Sequence, residues 1–575
     1  MRGIWGAFKL ACLLAVTGFL LTACSGGGGA APAPTPSKTI SGTAAAGVPI
    51  IGTVTIKDSR VPAQMKTVTI EANGHYTVDV TGLLAPYMLR ADGYVGGNEY
   101  HLYSAGTSAD EGGTVNVTPF TDLIVANIAG SIAQTYFNNG NFSGLTAAEL
   151  TAKSAALRTK LLPVLQVLGV SNSIDLLRAA FNTDHTGLDA ALDIFRVSTD
   201  PVTQVATITN IITHDTMTSD PVSGSYAGNL DNTTGVAAGV TDIQAITAKF
   251  QAFTNLFATS LPRADNPNLL ALFDTTFLDS GHNRAAFLSG ITTDPGMIGI
   301  TFTNISILEI DVTNGTAQVV FDVFINGVKN NSAPAKWHMI KKAGIWYLQG
   351  DQYIADIDFR SVASYHPSEP QQIKIYSGLH LWIADPGGLG LTSAVVTGHG
   401  LPQEGVTFVY DIANQQFQVS GQNSGSDYYM TDAAINQVAS TGETYTLRLY
   451  KDASLQATYT KTIGKRPYKS TELTPASFPT ITAPTLTQLR AFTGGDMTIT
   501  WTMPTGLINN WVSFGLNDNS GHSAQAGFNT TPELRSKTFT LNPVTATGTT
   551  FTPTGRWIYL DGRDSYGGMF SVNIW

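Results

Sequence analysis

Cysteine and charge are both scarce in this chain of 575 residues. Only two cysteines occur, Cys12 and Cys24, and charged residues make up 13% of the sequence, well under the roughly 25% of ordinary soluble proteins. Cys12 lies in an N-terminal apolar segment that we expect to be removed, so Cys24 is the single cysteine of the mature chain. This excludes an internal disulfide and a cysteine zinc cluster. The absence of Cys-x-x-Cys-His also excludes a covalently attached c-type haem.

The chain has no excess of positive charge. It carries 32 basic and 42 acidic residues, and loss of Arg2 and Lys9 with the N-terminal segment leaves 30 against 42, a formal charge of −12. Such an acidic body is not expected to bind nucleic acid, and anionic lipid would repel it. Any attachment to a membrane must therefore come from something other than the protein surface.

Common catalytic motifs are also missing. The sequence contains no Gly-x-Ser-x-Gly, no Gly-x-x-x-x-Gly-Lys, no His-Glu-x-x-His and no Gly-x-Gly-x-x-Gly that opens a helix. None of the ten histidines has another histidine three to five residues away, which argues against a local zinc site. We therefore expect a protein that is not an enzyme and that has no cofactor, apart from the calcium discussed below.

The first 23 residues have the composition of a signal peptide. A positive start precedes an apolar run from Leu10 to Leu21, which is too short to span a bilayer. The run ends in Leu-Thr-Ala-Cys24, which resembles a bacterial lipobox, and residues 24–37 form a Gly/Pro-rich tether. The resemblance implies acyl chains, including palmitate, on Cys24. Because Ser25 and not Asp follows, it also implies the outer membrane, facing either the cell surface or the periplasm; the alternative is an ordinary secretory signal.

Residues 38–118 show the alternation of a small antiparallel sandwich. The motifs Gly47-Val48-Pro49-Ile50 and Asn73-Gly74-His75-Tyr76 resemble the carboxypeptidase regulatory-like, or transthyretin-like, domain of bacterial surface proteins. The resemblance implies a spacer or binding module without peptidase chemistry. We expect a hairpin turn at Asn73-Gly74, where positive φ is needed.

Residues 119–218 have a helical period and predict a small helical bundle, followed by a linker over 219–239. Within the bundle, Asn182, Asp184, Thr186 and Asp193 occupy oxygen-ligand positions around Gly187 in a loop that loosely matches a calcium site. The alternative is a turn that ends in a helix N-cap at Asp189.

Residues 240–362 have helices first and strands later. This order, with the sequence Gly344-Ile345-Trp346-Tyr347 after a hairpin turn, resembles the NTF2-like cone, in which a sheet wraps around helices. Some members of that superfamily are isomerases or dehydratases, and others only bind or oligomerise. The titratable candidates here are Asp274, Asp279, His282, Asp311, His338 and Asp351.

Two further sandwiches are predicted at the C-terminal end. Residues 370–468 have the short alternating strands of an immunoglobulin-like module. Residues 475–575 contain Thr500-Trp501-Thr502-Met503-Pro504, which resembles the second strand of a fibronectin type III domain with its core tryptophan. The terminal segment to Trp575 is interpreted as a last sandwich strand.

The predicted fold is thus multidomain and mainly β, with serial β-sandwiches around a helical bundle and an α+β segment. Tyr428, Tyr429 and Trp511 are candidates for stacking on sugar rings, although sandwich cores and edges use the same residues. We expect a non-enzymatic, membrane-anchored surface lipoprotein in adhesion, envelope organisation or scaffolding, with an envelope protein or an extracellular polysaccharide as partner. The alternatives are an enzyme or small-ligand binder that uses the NTF2-like cone, and a polysaccharide-binding surface protein.

Overall fold

The structure is a computed structural model that describes residues 38–95, 98–142, 144–325, 328–329, 335–368, 375–412, 416–421 and 425–575. The described chain is mainly β, as predicted, and forms two compact units: residues 38–278 with 284–352, and residues 279–283 with 353–575. The predicted signal peptide, tether and Cys24 lie outside the described residues. No helix among the described residues has the length and hydropathy needed to cross a membrane.

The first unit begins with a β-sandwich. Its strands are β1 (Thr39–Thr43), β2 (Ile51–Lys57), β3 (Met65–Thr69), β4 (His75–Asp79), β5 (Tyr87–Val95) and β6 (Asn98–Gly106). Strands β1 and β4 pair in one sheet, and the other sheet has the order β3-β2-β5-β6. Gly74 adopts φ +84° at the predicted turn. However, β3 and β4 belong to different sheets, so this turn joins the two layers and is not a hairpin.

Within the predicted helical bundle, residues 119–218, helices extend only to residue 194. They are α1 (Pro119–Ala129), α2 (Ala133–Asn139), α3 (Ala147–Val167) and α4 (Gly187–Ile194). Thr118 and Thr146 cap α1 and α3, because their hydroxyl oxygens accept hydrogen bonds from backbone amides of the first turn. Threonine is a preferred residue at this position. The predicted N-cap at Asp189 is wrong: the N-cap residue of α4 is Thr186, and Asp189 lies in the first turn.

A four-stranded antiparallel meander replaces the end of the predicted bundle and the start of the predicted linker. It consists of β7 (Phe195–Thr199), β8 (Ala206–Asn210), β9 (Thr216–Asp220) and β10 (Ser225–Gly228). Asp200, Asn210 and Asp220 each accept a hydrogen bond from the amide two residues later, which is the mechanism of an Asx turn. Part of the polar composition that favoured a linker, from Asp220 to Gly224, therefore belongs to the last of three regularly spaced turns.

The last part of this unit packs a sheet against a long helix. The elements are α5 (Val236–Phe257), α6 (Pro267–Leu270), α7 (Arg284–Ile291), β13 (Ile300–Asp311), β14 (Thr316–Ile325), β15 (Val328–Lys329), β16 (Ala335–Lys342) and β17 (Ile345–Gly350). Between α6 and α7 in the sequence come β11 (Leu278–Asp279) and β12 (His282–Asn283), and residues 279–283 belong to the second unit. The main sheet has the order β13-β14-β16-β17. Phe250 of α5 contacts Phe321 and Trp337 of the sheet, with ring centroids 4.7 and 6.1 Å apart. Strands β16 and β17 form the expected hairpin.

The second unit contains the remaining strands and two short helices. They are β18 (Asp356–Tyr365), β19 (Ile375–Ala384), β20 (Ser393–Thr397), β21 (Val406–Asp411), β22 (Gln416–Val419), β23 (Asp427–Tyr429), α8 (Asp432–Ile435), β24 (Glu443–Lys451), β25 (Ser454–Ile463), β26 (Thr480–Ala483), α9 (Leu486–Ala491), β27 (Gly495–Thr502), β28 (Ile508–Asn517), β29 (Ser523–Asn529), β30 (Ser536–Leu541), β31 (Gly555–Arg563) and β32 (Met569–Ile574). These strands form three sheets, with the orders β23-β19-β18-β32-β31-β28-β29, β22-β21-β20-β24-β25 and β26-β27-β30.

The seven-stranded sheet is shared by two sandwich cores. Phe359 and Leu381 of this sheet belong to the core that includes Phe408 and Tyr445 of the five-stranded sheet. Farther along the same face, Val512, Phe514 and Leu560 share a second core with Trp501 of the three-stranded sheet. The predicted boundary between residues 370–468 and 475–575 therefore divides one continuous sheet. Strand β18 joins it as well, although the prediction placed those residues in the NTF2-like segment.

Candidate functional site

The face of the seven-stranded sheet that points away from both cores is polar and aromatic, and we call it the outer face. Side chains alternate along a strand, and residues directly opposite each other across a ladder share a face. The register therefore assigns to it Tyr376, His380, Trp382, Asp427, Tyr429, Asp358, Arg360, Ser364, Ser571, Asn573, Trp557, Tyr559, Asp561, Arg563, Trp511, Ser513, Gln525 and Asn529, together with the buried apolar side chains of Val362 and Met569.

Two tryptophan rings on the outer face lie across glycines of the neighbouring strand. A Cβ atom added to Gly527 would stand 2.0 Å from Cζ2 of Trp511, and one added to Gly515 would stand 2.2 Å from Cε2 of Trp557. Only glycine leaves room for the rings against the backbone. Both tryptophans are partly exposed, so this edge of the outer face presents two aromatic surfaces.

Aromatic residues also mark the opposite edge. The rings of Tyr376 and Tyr429 are stacked with centroids 4.9 Å apart and an interplanar angle of 24°. The Tyr429 hydroxyl donates to Asp427 at 3.3 Å, and the Nδ1 atom of His380 lies 2.7 Å from the other oxygen of that carboxylate. Burial, followed by the charge of Asp427, raises the pKa of Tyr429 above its ordinary value. The hydroxyl therefore stays protonated and remains a donor.

Paired charges occupy the middle of the outer face. Arg360 contacts the buried Asp358, and Arg563 lies 3.9 Å from Asp358 and 3.7 Å from Asp561. Burial alone would raise the pKa of Asp358, but the charges of Arg360 and Arg563 hold it well below its usual range. Both arginines therefore lie beside an ionised Asp358.

A serine, a histidine and an aspartate lie together here without the order of a catalytic triad. The Oγ atom of Ser364 is 3.5 Å from Asp427 and 2.9 Å from the Oγ atom of Ser571. In a triad the imidazole lies between the nucleophile and the carboxylate, whereas here the Asp427 carboxylate lies between Ser364 and His380. The arrangement orients polar groups and does not activate the serine.

The chain was compared with known proteins. No family model matches it, and no curated protein matches it. Three solved structures resemble parts of it: the FN1–FN3 domains of chicken CNTN1, with 10% identity over 47% of this chain and 97% of that chain at a TM-score of 0.13; the chicken interferon gamma receptor alpha chain, with 7% over 37% and 95% at 0.11; and a tetra-tandem repeat in the extending region of a large adhesion protein, with 9% over 93% and 98% at 0.12. At these TM-scores the likenesses carry no argument about fold or function.

The structure separates the three sugar-stacking candidates. Tyr429 and Trp511 lie on the outer face, at its two edges. Tyr428 points to the other side of the sheet and packs against the core of the sandwich. Tyr376, Trp382 and Trp557 were missed because their common face depends on strand register, which a single sequence does not reveal.

The predicted calcium ligands fall into separate contacts. Asp184 accepts hydrogen bonds from the backbone amide and the hydroxyl of Thr186 at 3.1 and 2.6 Å. Asp193 instead lies 2.8 Å from Nδ1 of His185, and His185, Asp189 and Asp193 bring three potential ligand atoms within 4.8 Å of one another. Calcium binding by Asn182, Asp184, Thr186 and Asp193 stays a prediction.

The interior between α5 and its sheet is filled with aromatic side chains. Phe253, Phe273, Phe277, Phe287 and Phe302 add to the contacts of Phe250, Phe321 and Trp337, with neighbouring centroids 4.7 to 6.1 Å apart. Two of the titratable candidates have structural roles. Asp274 forms an ion pair with Lys342 at 2.6 Å, and Asp311 accepts hydrogen bonds from two backbone amides of a turn. Nothing in these contacts assembles an acid and a base at a substrate site.

A cavity of about 200 Å³ lies elsewhere in the first unit, between α1 and the meander. Asp122, Gln134, Gln204 and Ser219 line it together with apolar side chains. Burial raises the pKa of Asp122 to about 7. A hydrogen bond of 3.0 Å from the backbone amide of Tyr103 to this carboxylate opposes the rise only in part. A titratable group in an apolar pocket is a common feature of small-ligand sites.

Proposed function

We propose that this protein is a non-enzymatic, lipid-anchored surface protein that adheres to an extracellular polysaccharide through the outer face of its seven-stranded sheet. The observation that carries the proposal is the placement of the Trp511 and Trp557 rings over glycines, on the same face as the stacked Tyr376 and Tyr429. A sugar ring presents an apolar C–H face that packs on such aromatic surfaces, while its hydroxyls bond to polar side chains.

Hydrogen-bonding groups lie between the two aromatic edges, as a glycan requires. The partly exposed Asp427 is an acceptor, and the partly exposed Arg360 and Arg563 are donors; hydrogen bonds to charged groups are stronger than neutral ones. Tyr429 lies on β23 and Trp511 on β28, five strand spacings apart, or about 24 Å at the usual inter-strand distance. That span fits an extended oligosaccharide better than a single sugar.

The segment Leu21-Thr22-Ala23-Cys24, which resembles a lipobox, supports the lipid anchor in this proposal. Acyl chains on that residue would hold an acidic body that anionic lipid repels, and the tether would let the modules project from the outer membrane. The first unit, with its small sandwich and densely packed helix–sheet part, then serves as a spacer or a scaffold for an envelope partner.

The same geometry also serves packing, because an aromatic ring over a strand glycine shields the sheet backbone. The Trp511→Ala variant of the intact chain separates the two roles. Affinity electrophoresis in gels that contain different polysaccharides should show retardation of the native chain and at least tenfold weaker binding of the variant, a loss of about 1.4 kcal/mol. Tyr410→Ala is the matched control, since Tyr410 is exposed on β21, outside the outer face.

The proposal fails if no polysaccharide retards the native chain, or if Trp511→Ala binds as tightly as the native chain. Protease treatment of intact cells, with lysed cells as control, tests the location. Cleavage on intact cells would place the modules in the medium, where an extracellular glycan is accessible. Protection until lysis would instead favour envelope scaffolding in the periplasm.

A further inference from the structure

Three potential metal ligands meet at α4 in the first unit, remote in sequence from the outer face. Asp189 and Asp193 are four residues apart on one face of α4, and His185 lies just before the helix with its Nδ1 atom 2.8 Å from Asp193. One ligand atom from each lies within 4.8 Å of the other two. His185 adopts φ +59°, a left-handed conformation that turns the chain immediately before the helix.

One oxygen of the Asp189 carboxylate lacks a hydrogen-bond donor among the described residues. The residue is fully buried, and Oδ2 accepts the backbone amide of His185 at 2.7 Å. Its Oδ1 atom is also buried and has no hydrogen-bond partner within the described chain. A buried carboxylate oxygen without a donor is costly, so the cluster lacks a positively charged or donating group at this point.

The neighbouring side chains do not supply that group. Arg196 donates to the backbone carbonyls of Leu192, Asp193 and Ile307 at 2.6 to 3.1 Å, so its hydrogen bonds go to the main chain and not to the carboxylates. Asp184 adds a further negative charge near Asp189 and His185. The positive charge of Arg196 acts on Asp193, so the position that lacks a partner in the described part of the chain is the buried Oδ1 atom of Asp189.

The cluster is closed on one side by the N-terminal sandwich. A Cβ atom added to Gly47 would stand 3.2 Å from Oδ1 of Asp193, so the loop that follows β1 lies directly over that carboxylate. Gln244 of α5 donates to the carbonyl of His185 at 2.9 Å. An ion held here would therefore lie between α4 and the first sandwich.

We propose that His185, Asp189 and Asp193 bind one divalent transition-metal ion of the zinc type. One imidazole nitrogen and two carboxylate oxygens suit such an ion, and ligand atoms around tetrahedral zinc are about 3.4 Å apart, which the 4.8 Å limit accommodates. Calcium needs six or more oxygens, and Asp184 and Thr186 bond to each other.

This site is independent of glycan binding, so either proposal can fail without the other.

The test is calorimetric titration of the EDTA-treated, dialysed mature chain with ZnCl2. We expect one ion per chain and a rise in the thermal unfolding midpoint, because an ion that binds only the folded state stabilises it. Asp189→Asn should bind zinc at least tenfold more weakly and keep the metal-free unfolding midpoint, since the amide oxygen of Asn can still accept from the backbone amide of His185. Asp184→Asn, a change in the same loop, should bind like the native chain.

A spectroscopic measurement tests whether His185, and not another histidine, binds the ion. Co²⁺ replaces zinc in such sites and absorbs visible light according to its ligands, so His185→Gln should remove the spectrum of the native complex. The proposal is overturned by the lack of one-to-one zinc binding, by native affinity in Asp189→Asn, by a Co²⁺ spectrum unchanged in His185→Gln, or by calcium binding in preference to zinc.

Discussion

Ending the chain at Gly568 should unfold both sandwiches of the second unit. The deletion removes β32, which lies between β18 and β31 in the shared sheet. Four apolar side chains of this strand, those of Met569, Phe570, Val572 and Ile574, are between 3% and 7% exposed. Strand β18 continues into the core of one sandwich and β31 into that of the other, so the loss reaches both cores.

The magnitude follows from the buried side chains. Each contributes about 1.5 to 3 kcal/mol, which gives roughly 6 to 12 kcal/mol for the four. The deletion also leaves the hydrogen-bonding groups of β18 and β31 unpaired in the middle of a sheet. A typical domain has only about 5 to 15 kcal/mol of stability, so the loss is comparable to the whole.

Limited proteolysis of the native and truncated chains, with fragments identified by mass spectrometry, measures this effect. We expect residues 353–575 to become sensitive throughout, whereas a chain lacking only Trp575 should resist like the native one. A protease-resistant fragment covering residues 370–468 in the truncated chain would show that the two sandwiches are independent and would refute the reasoning.

Three other changes have defined outcomes. Gly527→Val should displace the Trp511 ring, because its Cβ would stand 2.0 Å from Cζ2; near-ultraviolet circular dichroism should change, and polysaccharide binding should weaken as in Trp511→Ala. Trp337→Ala removes a side chain that is 1% exposed and should cost about 3 to 5 kcal/mol in urea unfolding, whereas an unchanged midpoint would mean that the aromatic core is not packed as described. Burial raises the pKa of Asp122 from 3.8 to about 7, so the folded state binds the proton more tightly and stability should fall as pH rises from 4 to 7; Asp122→Asn should flatten this part of the urea-midpoint profile, and an identical slope in both proteins would contradict the burial of the acid.

Local pattern was enough to predict several elements. Alternation located the strands of the first sandwich, and the Ala343-Gly344 turn, with φ of +50° and +81°, forms the predicted hairpin. Trp501 is buried on the strand where the sequence predicted a core tryptophan. These features depend on neighbouring residues, whose preferences a single sequence reveals directly.

The meander shows a local signal that was present but misread. Asp200-Pro201-Val202 and Asp220-Pro221-Val222 begin equivalent turns, with a third turn at Asn210 between them. Gln204, His214 and Gly224 each adopt positive φ at the same position of their turn. The ten-residue spacing of these turns is visible in the sequence and would have favoured short strands over a linker.

The shared sheet could not be predicted in this way. Ser364 and Ser571 are in contact although they are 207 positions apart, and no periodicity in one segment specifies a partner at that distance. The same limit affected the sugar-stacking candidates, because the choice between Tyr428 and Tyr429 depends on which face of β23 meets the core. The cluster at α4 was partly anticipated through Asp193, but the contribution of His185 depends on its left-handed backbone.

Hydroxyl-radical footprinting of the intact chain tests the central claim most directly. The chain is oxidised with and without the polysaccharide that retards it most strongly, and modification is measured at Trp511, Trp557 and Tyr429, with Tyr410 as the internal reference. Glycan stacking on the outer face should reduce oxidation of its three aromatic residues and leave Tyr410 unchanged. Equal oxidation of all three under saturating polysaccharide, or protection confined to residues 38–278, would contradict it.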